Sequence, residues 1–481
     1  MYTNTIAHVR PLRLKPLAAC LLPMLALGAP VFAAATEPPA PRAAPTQLSS
    51  SAVTSCDDDG DFDTLRHAVL VADPFDTIDL GGLACSKITL QAGAIAVAAS
   101  DLTIKGPASG TFTIDGGGTD RVFVHGGSGT LSLRDITVTN GSIAGDKAVG
   151  GCIYTKGSLS LTRSTLTACK AIGQTFAAGG GALAYGDMTL DASTVTGNLA
   201  DAPVAQANSA AIGGGVFSLG QDQGLTVTHS VVSGNTAHAA GGKAYGGGAA
   251  GFKVSAKYST FSGNAAKAIG DVSSYGIGGG MVVLYSLSMS NSTIDHNEAD
   301  FGGGILVGAN GGFATIIQST ISTNKGKLIA GGIESGVPLS MTNSTVAFNT
   351  GGVYGGGGLV ATGDLTLQSC IVADNAPSDV DGSVTIGGSN NLIKFAGANT
   401  IVPMGTLSVD PMLRPLAFNG GRTRTHALEP ASPAIGAGSN VINLQFDQRD
   451  TAYPRVVDAL PDIGAVEFDP DRVFADAFGA Q

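Results

Sequence analysis

Between Gly150 and Asn375 one pattern returns eight times: a glycine cluster, a short apolar-polar-apolar stretch, then Ser-Thr-apolar and an asparagine. "GGGALAYGDMTLDASTVTGN" (Gly179 to Asn198) is followed by "GGGMVVLYSLSMSNSTIDHN" (Gly278 to Asn297) and "GGIESGVPLSMTNSTVAFN" (Gly331 to Asn349). The offsets hold between copies. Met188, Leu190, Ser193, Thr194, Val195 and Asn198 are matched by Leu287, Met289, Ser292, Thr293, Ile294 and Asn297. Self-similarity at a fixed period marks a solenoid, in which each repeat buries its apolar face only by stacking on its neighbours. Most of this chain is therefore expected to be one elongated coil.

The asparagines Asn198, Asn235, Asn264, Asn297, Asn324, Asn349 and Asn375 are 25 to 37 residues apart. That spacing accommodates three short strands and three turns, one circuit of a parallel β-helix. The seven are expected to stack as a structural ladder on one edge of the coil. Six steps at the usual strand spacing span about 29 Å. Shorter alternating runs such as Leu102-Thr103-Ile104 and Leu131-Ser132-Leu133 extend the coil N-terminally. Segments such as Ala200 to Ile212 and Lys267 to Gly276 are expected to loop out of it.

Two outward faces follow from the alternation. The Leu-x-Leu strands place Ser160, Thr189, Thr226, Lys253, Ser288, Thr315, Ser340 and Thr366 in a polar stripe. In the strands after the glycines, Leu183, Phe217, Val282, Leu306 and Val360 would form an outward apolar column interrupted by Glu334. Such a column is a candidate contact stripe, because contiguous exposed apolar surface marks interaction sites. The competing reading is an inserted loop over this strand, or burial in the opposite register, since periodicity does not say which side is core.

Residues 1–35 read as a secretory signal. Arg10, Arg13 and Lys15 precede an apolar run from Pro16 to Val31, and Phe32-Ala33-Ala34-Ala35 offers a cleavage site. Residues 36–50 are Pro- and Ala-rich, a disordered leader. Residues 51–85 form an N-terminal cap with one short amphipathic helix, started by Asp63 or Thr64 and ended by Asp73-Pro74. The β-helix is expected over 86–400, with regular repeats at about 150–376, then a module at 401–468 and a tail at 469–481. Export permits a disulfide between Cys56 and Cys85, which flank the cap. Cys169 and Cys370 occupy ladder positions and read as small buried substitutes.

The formal net charge is −11, which excludes a basic nucleic-acid footprint. No further segment is apolar enough to span a membrane, so the mature chain is expected to carry no transmembrane span. The expected location is the cell envelope or the exterior.

The motifs "FSGNA" (Phe261 to Ala265) before "GGGM" (Gly278 to Met281), and "NEADF" (Asn297 to Phe301) before "GGGI" (Gly302 to Ile305), resemble polymorphic outer-membrane protein repeats. That resemblance covers about 140–376 and implies a bacterial right-handed parallel β-helix of the pectin lyase-like fold. A second resemblance covers roughly 405–467. Asp410-Pro411, Asn419-Gly420-Gly421, Thr425-His426-Ala427-Leu428, Ser432-Pro433-Ala434-Ile435, Asp447-Gln448-Arg449 and Asp462-Ile463-Gly464-Ala465 with Glu467 are similar to the choice-of-anchor Q module. Asp450 and Arg422 stand where that module has Gly and Pro. The resemblance implies secretion or surface attachment.

The expected fold is thus all-β: a right-handed parallel β-helix with an N-terminal helical cap and a small C-terminal capping module. The expected function is an exported scaffold for adhesion or surface interaction, with an envelope or surface partner, a glycan among the candidates. The alternative is a polysaccharide lyase or glycoside hydrolase. Acidic residues in the repeats are scattered, and no catalytic residue is assigned. No cofactor is expected beyond calcium near Asp57, Asp59 and Asp61, where an EF-hand loop fails because Phe62 and Ala68 occupy its Gly and Glu positions. His426, Asp447, Arg449, Arg455, Asp462 and Glu467 form a polar set. Within it, Asp447, Arg449 and Glu467 are expected to close the C-terminal end of the coil as an ion-pair network.

Overall fold

Three left-handed corners in each regular turn bend this chain into a coil. The first corner falls at Arg163, Ala192, His229, Tyr258 and Asn291, and the second at Ala168, Gly197, Gly234, Gly263 and His296. The third falls at Gly150, Gly179, Gly213, Gly246, Gly278 and Gly302. Here glycine is favoured on two counts, although Ala330 takes the same corner at φ +40° one turn beyond Gly302. The φ of Gly213 is +62°, and a Cβ would lie 2.4 Å from the Val216 carbonyl oxygen. The other corners project into solvent or onto a neighbouring module, so they admit side chains and form surface columns.

The computed structural model describes residues 52–470 other than 272, 309, 310, 353 and 458. The predicted signal at 1–35, the leader at 36–50 and nearly all of the tail lie outside these residues. Strands between corners pair in parallel with the turns above and below. They build a 21-stranded sheet A, a 12-stranded sheet B and a 10-stranded sheet C. The registers keep the repeat in step: Leu159 pairs with Met188 and then Leu225, and Thr165 with Thr194 and then Val231. Inward residues of sheets A and B, such as Leu190, Val195, Met289 and Ile294, merge into one continuous core running from Val53 to Ile393. The polar stripe of sheet A has Ser255, not Lys253, beside Thr226 and Ser288. The bulge between Gly251 and Lys253 shifts that register.

Sheet C is not a simple third side. After each second corner the chain runs outward and then returns. In one strand, Lys170–Ala178, residues 170–172 pair with 199–201 while 176–178 pair with 210–212. The predicted loop-outs Ala200 to Ile212 and Lys267 to Gly276 leave along strands Leu199–Ala202 and Ala265–Ile269 and return along Ala210–Ile212 and Tyr275–Ile277. Between outgoing and returning limbs lies a core made only of alanines, including Ala177, Ala200, Ala211, Ala237 and Ala244. Small side chains allow the limbs to approach closely, so the coil carries a thin lobe along its flank.

One helix, α1 (Leu65–Val71), is present among the described residues and covers the N-terminal end. Thr64 caps it by accepting from the His67 N–H at 3.3 Å, and Leu65, Ala68 and Val69 are buried. Buried Asp58 binds Arg66 through two bonds of 2.8 Å and accepts from the amides of Gln91 and Ala92, fastening the cap to the first turns. Cys56 and Cys85 are disulfide-bonded, with Cα atoms 6.3 Å apart. The second half of the predicted cap already belongs to the coil, because Asp76–Asp79 pairs with Leu102–Lys105. At the other end parallel bridges continue to Leu407, past the predicted boundary at 400.

Candidate functional site

The seven asparagines are buried at successive second corners, next to the left-handed residue. Each is bonded to both neighbouring turns. Asn297 donates from Nδ2 to Phe261 O (2.9 Å) and to Asn324 Oδ1 (2.9 Å). Its own Oδ1 accepts from the Asn264 N–H (2.9 Å) and from Asn264 Nδ2 (3.0 Å). At the last step Asp379 takes the part of the next asparagine, accepting from Asn375 N–H and Nδ2. A second ladder was not anticipated from sequence. The serine after each first corner accepts, at Oγ, from the amide of its counterpart one turn earlier, from Ser164 through Ser193, Ser230, Ser259, Ser292 and Ser319 to Ser344. The Ser of the repeat, replaced by Cys370 in the last copy, is its only signal. Both ladders are structural: they use up their polar atoms internally.

The contact stripe is corrected. Leu183, Phe217, Val282 and Leu306 do face away from the main core, yet they are 1–5% exposed. They pack beneath the returning limbs of the lobe, against Ala178, Ile212, Tyr245 and Ile277, as a second apolar core. Val360 lies beyond the last long returning limb and is half-buried. A strand two layers out is buried by a segment that sequence periodicity treats as a loop. Glu334 sits in this column between Leu306 and Val360, buried, with Oε2 lacking a hydrogen-bond partner. Burial pushes its carboxyl from 4.5 up to about 7. The folded state therefore holds a proton the unfolded chain releases, and stability is expected to fall as pH rises from about 4.5 through about 7. The loss is on the order of 3 kcal/mol, and Glu334→Gln should abolish it. Urea titrations across that pH range check the slope; a variant with the wild-type slope contradicts the assignment.

The cysteine reading is corrected in part. Cys152 and Cys169 form a second disulfide, Cα atoms 5.3 Å apart, so Cys169 is not a lone buried substitute. Cys370 is free and buried, its thiol pushed up to about 12 by burial.

Residues 411–468 do not close the end of the coil. They lie along the outer face of sheet B. Thr165–Thr167, Thr194–Thr196 and Thr260–Ser262 have half-buried outward residues, whereas Thr293–Asp295, Thr320–Ser322, Thr345–Ala347 and Ile371–Ala373 are buried throughout. The first-corner column grips one edge of the module. Asn291 Nδ2 donates to Asp447 O (3.2 Å), Gln318 Nε2 to Phe446 O, and Asn343 Nδ2 to Ser439 O (3.1 Å). The second-corner column meets the other edge through Phe348, whose ring lies 5.0 Å from that of His426. The predicted set is rearranged and acts inside this module: Glu467 offers Arg449 its main-chain carbonyl and pairs through its carboxylate with Arg455 instead. Asp447 binds Arg449 at 2.6 Å, and fully buried Arg455 binds Glu467 at 2.6 Å. Burial drives the Glu467 carboxyl upward while Arg455 pulls against it.

Along this seam several polar side chains converge that the sequence does not place together. Asp295 is fully buried; its Oδ2 accepts from Arg424 and meets His296 Nδ1 at 2.6 Å, while Oδ1 has no hydrogen-bond partner. One turn on, Ser322 Oγ lies 2.8 Å from His426 Nε2, and Arg414 O lies 2.7 Å from His426 Nδ1. Burial lowers the His426 pKa and favours neutral imidazole. A buried carboxylate that orients an exposed histidine is an arrangement able to move a proton.

Asp57, Asp59 and Asp61 lie on an exposed turn. The Asp57 amide donates to Ser55 Oγ, and the Asp61 amide donates to Asp59 Oδ1. Among the described residues no three His, Cys, Asp or Glu side chains are grouped as a metal site, and no helix is long and apolar enough to cross a membrane.

No protein-family model matches the chain, and no curated protein matches it. Among solved structures, the crystal structure of pectate lyase Pel9A aligns with a TM-score of 0.45 at 14% identity, over 88% of this chain and 98% of that chain. The fold of this chain, a parallel β-helix, rests on its own strand registers.

Proposed function

We propose that this chain is an exported β-helix scaffold that engages a partner at the cell envelope or outside the cell through the uncovered part of sheet B. The observation that carries the reading is the change along that sheet. Its C-terminal rungs are buried by residues 411–468, and its N-terminal rungs present half-buried threonines to solvent. The two disulfides fit an oxidising compartment. The likeness of the repeats to polymorphic outer-membrane proteins, and of 405–467 to the choice-of-anchor Q module, points to the same location. Fluorescent mature protein should attach to intact bacterial or host cells, and Thr137→Lys/Thr194→Lys should reduce attachment with an unchanged melting temperature. Attachment equal to wild type would sink this reading.

The second reading, a carbohydrate-active enzyme, is favoured by one observation: Asp295 beside Arg424 and His296. Chain cleavage in a panel of polysaccharides, lost in His296→Ala, would move the assignment there.

A further inference from the structure

One column of hydroxyls on sheet B already shows what it binds. Thr293 Oγ1 donates to Arg424 O at 2.6 Å, Thr320 Oγ1 to Gln448 Oε1 at 2.6 Å, and the Ala465 N–H donates to Thr345 Oγ1 at 3.1 Å. The groups met are two main-chain groups and one side-chain amide. They belong to a segment of largely irregular backbone, bridged to itself, among the described residues, at isolated antiparallel positions such as Ala417 with Thr425.

The same column continues without a break in register towards the N-terminus. Thr293 pairs with Thr260, Thr260 with Val231, Val231 with Thr194, Thr194 with Thr165 and Thr165 with Thr137. Among the described residues, the hydroxyls of Thr137, Thr165 and Thr194 take no hydrogen-bond partner. Each is both donor and acceptor and turns to suit a carbonyl or an N–H. They recur at the rung spacing of about 4.8 Å. Val231, 39% exposed, adds an apolar contact in the middle of the column. From Thr137 to Ser262 the outward positions of the strands carry no formal charge. The module stops at a defined seam, where Arg424 Nη2 donates to Ser262 Oγ at 2.9 Å and Tyr258 Oη to Asp450 Oδ1 at 3.2 Å.

From this continuity we infer that the stretch of sheet B from Thr137 to Ser262 docks an uncharged, extended polypeptide segment of another protein, with main-chain carbonyls and N–H groups laid on the threonine column next to the module. The inference rests on the scaffold reading and names the chemistry of its partner. A hydroxyl column that serves carbonyl, amide and N–H groups without charge fits peptide groups, whereas a polyanionic glycan would need cations on this face.

The test uses the mature full-length protein on immobilised gelatin and on reduced, alkylated casein as unfolded polypeptides, beside cellulose, xylan and peptidoglycan. Wild type should be retained on the polypeptides. Thr165→Val/Thr194→Val removes two hydroxyls but keeps shape and strand propensity, so it should bind about tenfold or more weakly, equivalent to about 1.4 kcal/mol, with an unchanged melting temperature. Thr189→Val, on the polar stripe of sheet A, should bind as wild type. Retention on polysaccharides alone, self-association through this face, or equal binding by the double variant overturns the inference. If cell attachment is lost in Thr137→Lys/Thr194→Lys but no polypeptide is retained, this inference falls and the scaffold reading stands. If attachment is unchanged, the scaffold reading itself falls.

Discussion

Asn297→Ala is expected to destabilise the coil by about 3–5 kcal/mol in equilibrium urea unfolding. Alanine removes a side chain that makes four hydrogen bonds at 2.9–3.0 Å to the two neighbouring turns. The amide N–H and Nδ2 of Asn264 and the carbonyl of Phe261 are left without that partner in a site closed to water. A buried polar group left unpaired costs about 1–3 kcal/mol, and here several are created at once. Because each turn contacts only its neighbours, the damage should be local. Hydrogen exchange should therefore accelerate around 261–324 before it does so near 102–134. A change below about 1 kcal/mol would show that the ladder adds little beyond strand pairing.

Arg455→Leu should have a comparable effect on a different unit. The guanidinium is fully buried, donates to the carbonyls of Gly464 and Asp462, and holds Glu467 at 2.6 Å. Removing one member of a buried ion pair typically costs about 3–5 kcal/mol because the partner is left uncompensated. Here the partner is Glu467, which accepts the Asp462 N–H on both oxygens. The module should loosen from sheet B while the coil stays folded, so limited proteolysis should cut within 411–468 first. Replacing both residues with leucine should restore part of the loss, since the one charge left uncompensated in Arg455→Leu, that of Glu467, is then absent. Identical proteolysis of Arg455→Leu and wild type would contradict this account.

The sequence made the coil legible because solenoid repeats are one-dimensional: Asn198 and Asn297 occupy the same environment, so their spacing reports the rung directly. The serine ladder is written in the same repeat, as a Ser at a constant offset from the asparagine, but a hydroxyl's partner one turn away leaves no mark in the sequence. What periodicity does not contain is which side of a strand is covered by a distant segment. Leu183 and Phe217 look like a contact surface from their alternation, and only the return of 176–178 and 210–212 over them makes them core. The same limit explains the module. Its polar residues were readable, but Gln448 reaching Thr320, 128 residues away, has no local signal. Asp295 shows the converse case. In the other regular copies its position holds Thr, Ser or Ala, and the departure is informative only with Arg424 beside it.

Residues 411–468 cover the C-terminal rungs of sheet B and leave the N-terminal rungs open. Single cysteines at outward positions of one column test it most directly, by their rates of alkylation in the folded protein. Thr165→Cys and Thr194→Cys should react quickly, and Thr320→Cys and Thr345→Cys should be protected, with the change falling between residues 260 and 293. Equal labelling at 165, 194, 320 and 345 would place the module elsewhere and contradict the account.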